Sequence, residues 1–473
     1  MKPQVVPQMP LARTAHLFKG LRSKRNAGKD RMTTTALLIR KRRFLPLFAT
    51  QLLGAFNDNL YKNAMILYVV YTVYSSEAAE ARFSAIASGV FILPFFLLSA
   101  LSGQLADMRD KAQIIRIVKA CEIGIMLVGA AGLYLAWRGM AVHLVAIPLM
   151  LTALLAMGVH STFFGPIKYA ILPQHLQPNE VLAGTGLVEA GTYIAILAGT
   201  IFAGWIPVEW AAAICVGTAI IGFCTAQFVP SAPPQMEPEP LDFNVIRSSI
   251  TLVRMTTRHP RVFLAIAAIS FVWTIGAVLF IQFPPLAKNV LSASKEVASL
   301  FLVVFSIGVA IGSVSINQML GGKVSARYGP ASVIVMGIFI VAFHVVCKMW
   351  QHSVGTGLMD VPEFVTQPLA VPLLLTLLGI AVSGGMFVVP LYAFLTTVVD
   401  KAETARTIAA NNIVNAGAMV VGSLIAVGLS AAGVPLADQL LLGAAMCLVA
   451  AWLGRVLYRA ELAHVGEIEH TFE

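Results

Sequence analysis

Charge is scarce in this sequence: 12% of its 473 residues are Asp, Glu, Lys or Arg, against about 25% in an ordinary soluble protein, while 58% are hydrophobic. A soluble core cannot absorb that much apolar surface, which excludes a free globular enzyme. Cysteine is also sparse. The five, Cys121, Cys215, Cys224, Cys347 and Cys447, all fall inside apolar runs with no Cys-x-x-Cys pair and no neighbouring His cluster. They are read as small core residues, so no metal, disulfide or other cofactor is expected. No Gly-x-x-x-x-Gly-Lys-Ser/Thr run cradles a nucleotide phosphate, so ATP hydrolysis is not expected either. The first 43 residues hold twelve Lys or Arg, one acid (Asp30) and no apolar stretch long enough for a signal-peptide core. They read as a disordered cytoplasmic tail; an Arg-rich import peptide has a similar composition, and Met32 is a second possible start.

Present in abundance are long uncharged runs such as Ile86–Ala106, Ala331–Val346 and Val371–Val382. Helices of about twenty residues with this composition cross a bilayer. Breaks at charges, Pro and Gly predict spans at 44–74, 83–106, 114–136, 142–166, 181–204 and 208–229, then at 262–287, 297–320, 330–350, 369–396, 407–430 and 436–458. The expected fold is therefore all-α and polytopic, with twelve membrane helices in two similar six-helix bundles, 44–229 and 262–459. A tail follows at 460–473. Between the bundles lies a linker, 230–261, opened by Pro230, Pro233, Pro234, Pro238 and Pro240 and amphipathic around Ile246, Ile250 and Val253.

The net charge of +10 is topological rather than a sign of nucleic-acid binding. With the amino terminus inside, 27 of 33 Lys and Arg fall on the cytoplasmic side, including 4 in loop 107–119, Lys168 and 4 in the linker. An even number of spans with both ends in the cytoplasm follows. The halves also echo each other at a nearly constant offset. Gly54-Ala55 returns as Gly276-Ala277, Arg109 as Arg327, and Gly186-Leu187-Val188-Glu189-Ala190-Gly191 as Asn412-Ile413-Val414-Asn415-Ala416-Gly417.

The first span carries Asn57-Asp58-Asn59-Leu60-Tyr61-Lys62-Asn63 near its middle. An ionisable residue at that depth costs at least about 2.5–3.5 kcal/mol unless it meets a cavity or a partner. Asp58 and Lys62 are one helical turn apart, with Gln51, Gly54 and Met65 on the same stripe, so this face is expected to line a polar cavity. The plainer alternative is an intrahelical Asp58–Lys62 pair that only fixes packing; a paired Asp and Lys would also suit a zwitterionic ligand. Glu189 in the fifth span is a second cavity candidate, and its repeat partner is Asn415. Glu122 is read as reaching the interface or answering Lys119, and His160 and His344 as hydrogen-bonded core residues.

The turn after the second span reads Gly103-Gln104-Leu105-Ala106-Asp107-Met108-Arg109-Asp110-Lys111. It resembles the signature loop Gly-x-Leu-Ala-Asp-Arg-x-Gly-Arg of the major facilitator superfamily, with Met108 and Asp110 as departures. A Gly permits close helix approach and an Asp accepts from a helix amino terminus, so Gly103, Asp107, Arg109 and Lys111 form a candidate conformational latch. The second copy keeps Gly322 and Arg327 but has lost the acid, and is expected to latch more weakly.

More specific motifs run through most of the span-bearing chain: Gln51-Leu52-Leu53-Gly54-Ala55-Phe56-Asn57-Asp58-Asn59, Gly165-Pro166-Ile167-Lys168-Tyr169-Ala170-Ile171-Leu172, Gly186-Leu187-Val188-Glu189-Ala190 and Gly384-Gly385-Met386-Phe387-Val388-Val389-Pro390-Leu391. They resemble those of the bacterial lysophospholipid transporters, including transporter domains fused to acyltransferase and acyl-carrier-protein synthetase modules. The resemblance implies an inner-membrane carrier that moves lysophosphatidylethanolamine-like lipid to the cytoplasmic leaflet for reacylation. It also implies an acyltransferase/acyl-carrier-protein synthetase as functional partner, and it places Asp58 at the family's acidic position. Family members can carry an Arg in the seventh span where this chain has Leu279 or Phe280; the region offers Gln282 and Pro284-Pro285 instead, and Lys62 is a substitute cation.

A lysolipid carrier needs polar groups for a headgroup and an apolar route for a tail. Gly191, Gly384 and Gly385 allow helices to approach and slide, Gly165 precedes a Pro, and Pro166 and Pro390 can break helices at matching places, although ordinary membrane-helix packing explains each equally well. The rival expectation is a proton-coupled carrier of another small amphiphile, working through Asp58 or Glu189. A membrane-bound acyltransferase is not expected, because no His-x-x-x-x-Asp occurs; His175 and Glu180 have that spacing but lie in a loop with Pro178. The expected state is a monomer.

Overall fold

The computed structural model describes residues 37–74, 77–237, 239–351 and 358–472; of the basic amino-terminal segment, residues 1–36 lie outside these. Among the described residues are twelve long helices: α1 Leu45–Tyr68, α2 Glu77–Met108, α3 Lys111–Trp137, α4 Ile147–Ala170, α5 Pro178–Trp205 and α6 Val208–Gln227, followed by α7 Pro260–Asn289, α8 Lys295–Leu320, α9 Gly329–Gln351, α10 Ala370–Thr397, α11 Thr404–Ala431 and α12 Leu436–Phe472. A single turn, Leu172–His175, a linker helix, Val245–Thr257, and a short helix, Val361–Thr366, accompany them, together with π-helical turns at Val69–Val73 and Val142–Ala146. Local signals set several ends. Prolines occupy the first turn of α1, α5 and α7, where a missing N–H costs nothing, and Asp110 caps α3 through the amides of Ala112 and Gln113. α7 runs unbroken through Pro284-Pro285 to Asn289.

Ten of these helices are long and apolar enough to cross a membrane by composition alone. The two long helices that fall short are α1 and α3, which carry Asn57, Asp58, Lys62, Lys119 and Glu122. Their packing places them with the rest. α1 packs on α5 and α6, α2 on α4, and α3 on α4 and α6; six helices later, α7 packs on α11 and α12, α8 on α10, and α9 on α10 and α12. One packing scheme is thus used twice, and the two bundles meet mainly through α5 against α8 and α2 against α11.

The connections fall on two sides, one holding the α6–α7 linker and the other opposite it. Several residues counted as loop charges belong in helices instead: Lys111 and Arg116 lie in the first turns of α3, Lys119 lies two turns into it with its side chain fully buried, and Lys168 lies within α4, which continues past Pro166 to Ala170. The charge asymmetry between the sides holds without them. On the linker side, residues 37–44 pack down, with Leu38 and Phe44 buried and Lys41 and Arg43 both paired to Glu180 at the start of α5.

Candidate functional site between the two bundles

Burial along the helices shows which side is closed. On α5, α10 and α11 the linker-side ends, 180–191, 385–396 and 404–411, are covered almost without a break, whereas the opposite halves alternate between buried and exposed. The space between the bundles is therefore shut on the linker side and opens on the other.

A fitted contact between α2 and α11 holds that closure. Asp107, fully buried, accepts from the backbone amides of Ala405 at 3.0 Å and Arg406 at 2.9 Å, so one carboxylate caps the amino terminus of α11 across the bundle boundary. Gly103 lets the backbones meet there: a Cβ would lie 2.7 Å from Ala409 Cβ and 3.0 Å from Arg406 Cα. The linker folds over this contact. Ser231 and the Ala232 amide donate to Asp110, and Arg406 pairs with Glu239 at 3.4 Å. Burial alone would raise the Asp110 carboxyl, but donors from Ser231, Ala232, Ala112 and Gln113 hold it below the ordinary aspartate range. Of the other residues in this motif, Lys111 is buried with its Nζ lacking a hydrogen-bond partner among the described residues, and Arg109 is exposed. In the second copy, Gly322 sits at φ +77° against the Asn179 carbonyl, while Arg327 is exposed over the Tyr328 ring. The amino terminus of α5 is capped by its own Gln177 and Glu180, with no acid from the α8–α9 loop.

Above the closure lies a layer of aromatic and polar groups from both bundles. Tyr169 of α4 stacks on Tyr392 of α10 with centroids 4.7 Å apart, and Tyr193 of α5 stacks on Trp273 of α7 at 6.3 Å. The Tyr169 hydroxyl donates to Glu189, which is buried. Opposite, Asn415 accepts from Ser270 at 2.6 Å, and Asn411 and Asn415 both point amide nitrogens at the Tyr392 hydroxyl. Glu189 and its repeat partner Asn415 thus share one layer. Lys168 lies with its Nζ 4.9 Å from the Tyr169 ring centroid and makes no ion pair among the described residues. Pro166 and Pro390 sit inside α4 and α10 just before the two stacked tyrosines.

The amino-terminal bundle is rich in charge. Asp58 accepts from Ser161 at 2.5 Å through one carboxylate oxygen, and the other has no donor among the described residues. Asp58 and Lys62 share a face but are not ion-paired among the described residues; the Lys62 ammonium stands 5.4 Å over the Phe91 ring. That departs from the intrahelical pair set out above. The reason lies in the neighbours, since α4 offers Asp58 a hydroxyl and α2 offers Lys62 a ring face. Gln51 accepts from Thr192 of α5 at 3.0 Å. Behind Asp58, Asn57 donates to Glu122 at 2.8 Å, Lys119 pairs with Glu122 at 2.5 Å, and His160 stands 3.3 Å from the same carboxylate. Glu122 answers Lys119, but deep inside the bundle and not at an interface. This network is the part that sequence reasoning undervalued; Lys119 and Glu122 at i, i+3 inside an apolar run were its signal.

The carboxyl-terminal bundle is different. Its α7, α8, α9 and α10 line an open, mainly apolar pocket walled by residues such as Leu279, Phe280, Phe305, Met336, Ile380 and Val388, to which α5 of the other bundle contributes Glu189 and Tyr193. Leu279 and Phe280 are part of this apolar wall. Gln282 is not: it donates to Gln439 of α12 at 2.9 Å, outside the cavity lining. Gly384 and Gly385 line the cavity, and Gly385 also packs tightly, with a Cβ position 2.6 Å from the Val309 carbonyl; Gly165 is loosely covered, 3.7 Å from the Asn412 amide.

Residues 47–423 match the family model of the Major Facilitator Superfamily. The chain belongs to that superfamily. Similar curated proteins include the lysophospholipid transporter LplT of Citrobacter koseri, 23% identical over 385 residues that cover 80% of this chain and 85% of the relative. LplT of Escherichia coli strain SE11 is 23% identical over 381 residues, covering 78% and 84%. Among solved structures, a bacterial homologue of the iron transporter ferroportin in an outward-facing state aligns with a TM-score of 0.64 at 14% identity, covering 89% of this chain and 99% of that one. The proton:xylose symporter XylE aligns at 0.63 and 13% identity, covering 90% and 96%. These structures establish the fold shared with this multi-pass membrane transporter.

Proposed function

We propose that this transporter flips a lysophospholipid, of the lysophosphatidylethanolamine type, to the cytoplasmic leaflet of a bacterial inner membrane, with the linker side cytoplasmic. The carrying observation is the division of the interior. Asp58, Lys62, Lys168 and Glu189 all belong to one bundle, while the other supplies most of the wall of a mainly apolar pocket. The ionisable groups lie on one side and most of the apolar wall on the other, and a molecule with one charged head and one tail fits this asymmetry. The ammonium groups of Lys62 and Lys168, unpaired among the described residues, suit a phosphate, and the Asp58 oxygen that has no donor among them suits a primary amine. The distant similarity to LplT proteins, so named, supports the same reading. Closure at Asp107 and opening at the other side describe one half of an alternating-access cycle, which delivers the head inward when the latch parts. Reacylation then falls to a partner acyltransferase.

One observation favours a second reading. Asp58 makes no contact ion pair with Lys62 among the described residues and has one oxygen without a donor there, as a proton-coupling carboxylate requires. Uptake of labelled lysolipid into vesicles, with and without an uncoupler, separates the two. Uptake indifferent to the uncoupler is expected; complete loss on collapsing the proton gradient favours coupling.

A further inference from the structure

The linker helix Val245–Thr257 turns its apolar row the wrong way for a helix that serves only the protein core. The residues it buries against α2 and α11 are Ser248, Leu252 and Thr256. Ile246 and Ile250, one turn apart, face outward at 70% and 56% exposure, and Phe243 just before the helix is 73% exposed. Beside this row run Arg247, Arg254 and Arg258, all exposed. Arg247 is held by Asp242, whereas Arg254 and Arg258 make no ion pair among the described residues. A helix with an outward apolar row flanked by cations is built for the boundary between acyl chains and headgroups.

Its depth agrees. Only Arg258 and His259 separate the helix from α7, so its carboxyl end lies within about 10 Å of the linker-side end of a membrane helix. Its other neighbours, α2 and α11, end on the same side. We propose that this helix docks its Phe243–Ile246–Ile250 row on an anionic lipid surface on the linker side, with Arg254 and Arg258 engaging the headgroups. Because the helix bridges α2 and α11 where Asp107 caps α11, the docked lipid holds the closed arrangement at the latch. The inference does not depend on which molecule is transported.

The test places a polarity-sensitive fluorophore at Ile250→Cys in the full chain with its five cysteines replaced by Ala, in nanodiscs of phosphatidylcholine alone or mixed with phosphatidylglycerol. The expected result is strong quenching by lipids carrying a nitroxide near the headgroup in the mixed discs, with protection from aqueous iodide. Quenching is expected to fall severalfold in R254Q/R258Q. Iodide access with no lipid quenching in either disc overturns the proposal. Protection that disappears on deleting residues 1–36 overturns it in favour of the chain's own tail, and protection that needs two copies per disc overturns it in favour of a dimer contact.

Discussion

Replacing Asp107 by Asn is expected to loosen the closed linker side without harming the fold. The carboxylate accepts two amides at the start of α11 from across the bundle boundary. Asn keeps one acceptor and loses both the second bond and the charge opposite the helix dipole. A hydrogen bond to a charged group contributes about 1.5–3 kcal/mol and a charge at a helix end about 0.3–2 kcal/mol, of which Asn retains a part. The net destabilisation of the closed state is then about 1–2 kcal/mol, or roughly a 5–30-fold rise in the ratio of linker-side-open to linker-side-closed molecules. Spin labels at Gln113→Cys in the first bundle and Lys401→Cys in the second, both exposed positions, report that distance in a background lacking the native cysteines. Gly103→Val perturbs the same contact by sterics, because its Cβ meets α11 backbone at 3.0 Å, so the two substitutions combined should add less than their separate effects. An unchanged distance distribution in both variants would refute the latch.

Three further outcomes follow from the interior. Asp58→Asn should abolish lysolipid uptake at normal expression, since the Ser161 bond survives while the charge is gone; wild-type uptake would reduce Asp58 to a structural role. Gly276→Leu projects into the apolar cavity, with nothing within 4 Å of its Cβ, and should depress uptake of long-chain lysolipids more than short-chain ones; equal effects on both would separate the cavity from the tail. Glu122→Gln leaves Lys119 buried without its carboxylate and should cost about 3–5 kcal/mol, seen as a lowered melting temperature in detergent, while Lys119→Met with Glu122→Leu should recover much of it.

The division into twelve helices was legible because apolar runs and loop charge obey strong rules, and the structure departs mainly at span ends. The two least apolar helices are informative in that respect. α1 and α3 fall short on composition because they carry Asp58, Lys62, Lys119 and Glu122, and their packing identifies them as members of the bundle. The latch was also legible, since a Gly and an Asp four residues apart specify both a close approach and a helix cap. Partner choice was not. Asp58 and Lys62 at i, i+4 suggested each other, yet Ser161 and Phe91 lie over a hundred and nearly thirty residues away and are set by tertiary packing. The same holds for Gln282, which Gln439 draws away from the cavity, and for the stacked Tyr169 and Tyr392, contributed by different bundles. Ile246, Ile250 and Val253 signalled an amphipathic helix but could not say which face meets the protein.

The most direct measurement is the transfer of labelled lysophosphatidylethanolamine across vesicles that contain only the purified protein. The account predicts transfer well above that of protein-free vesicles, abolished by Asp58→Asn and reduced for long tails by Gly276→Leu. Transfer no faster than in empty vesicles, by protein that the spin labels show to be folded and cycling, would contradict it.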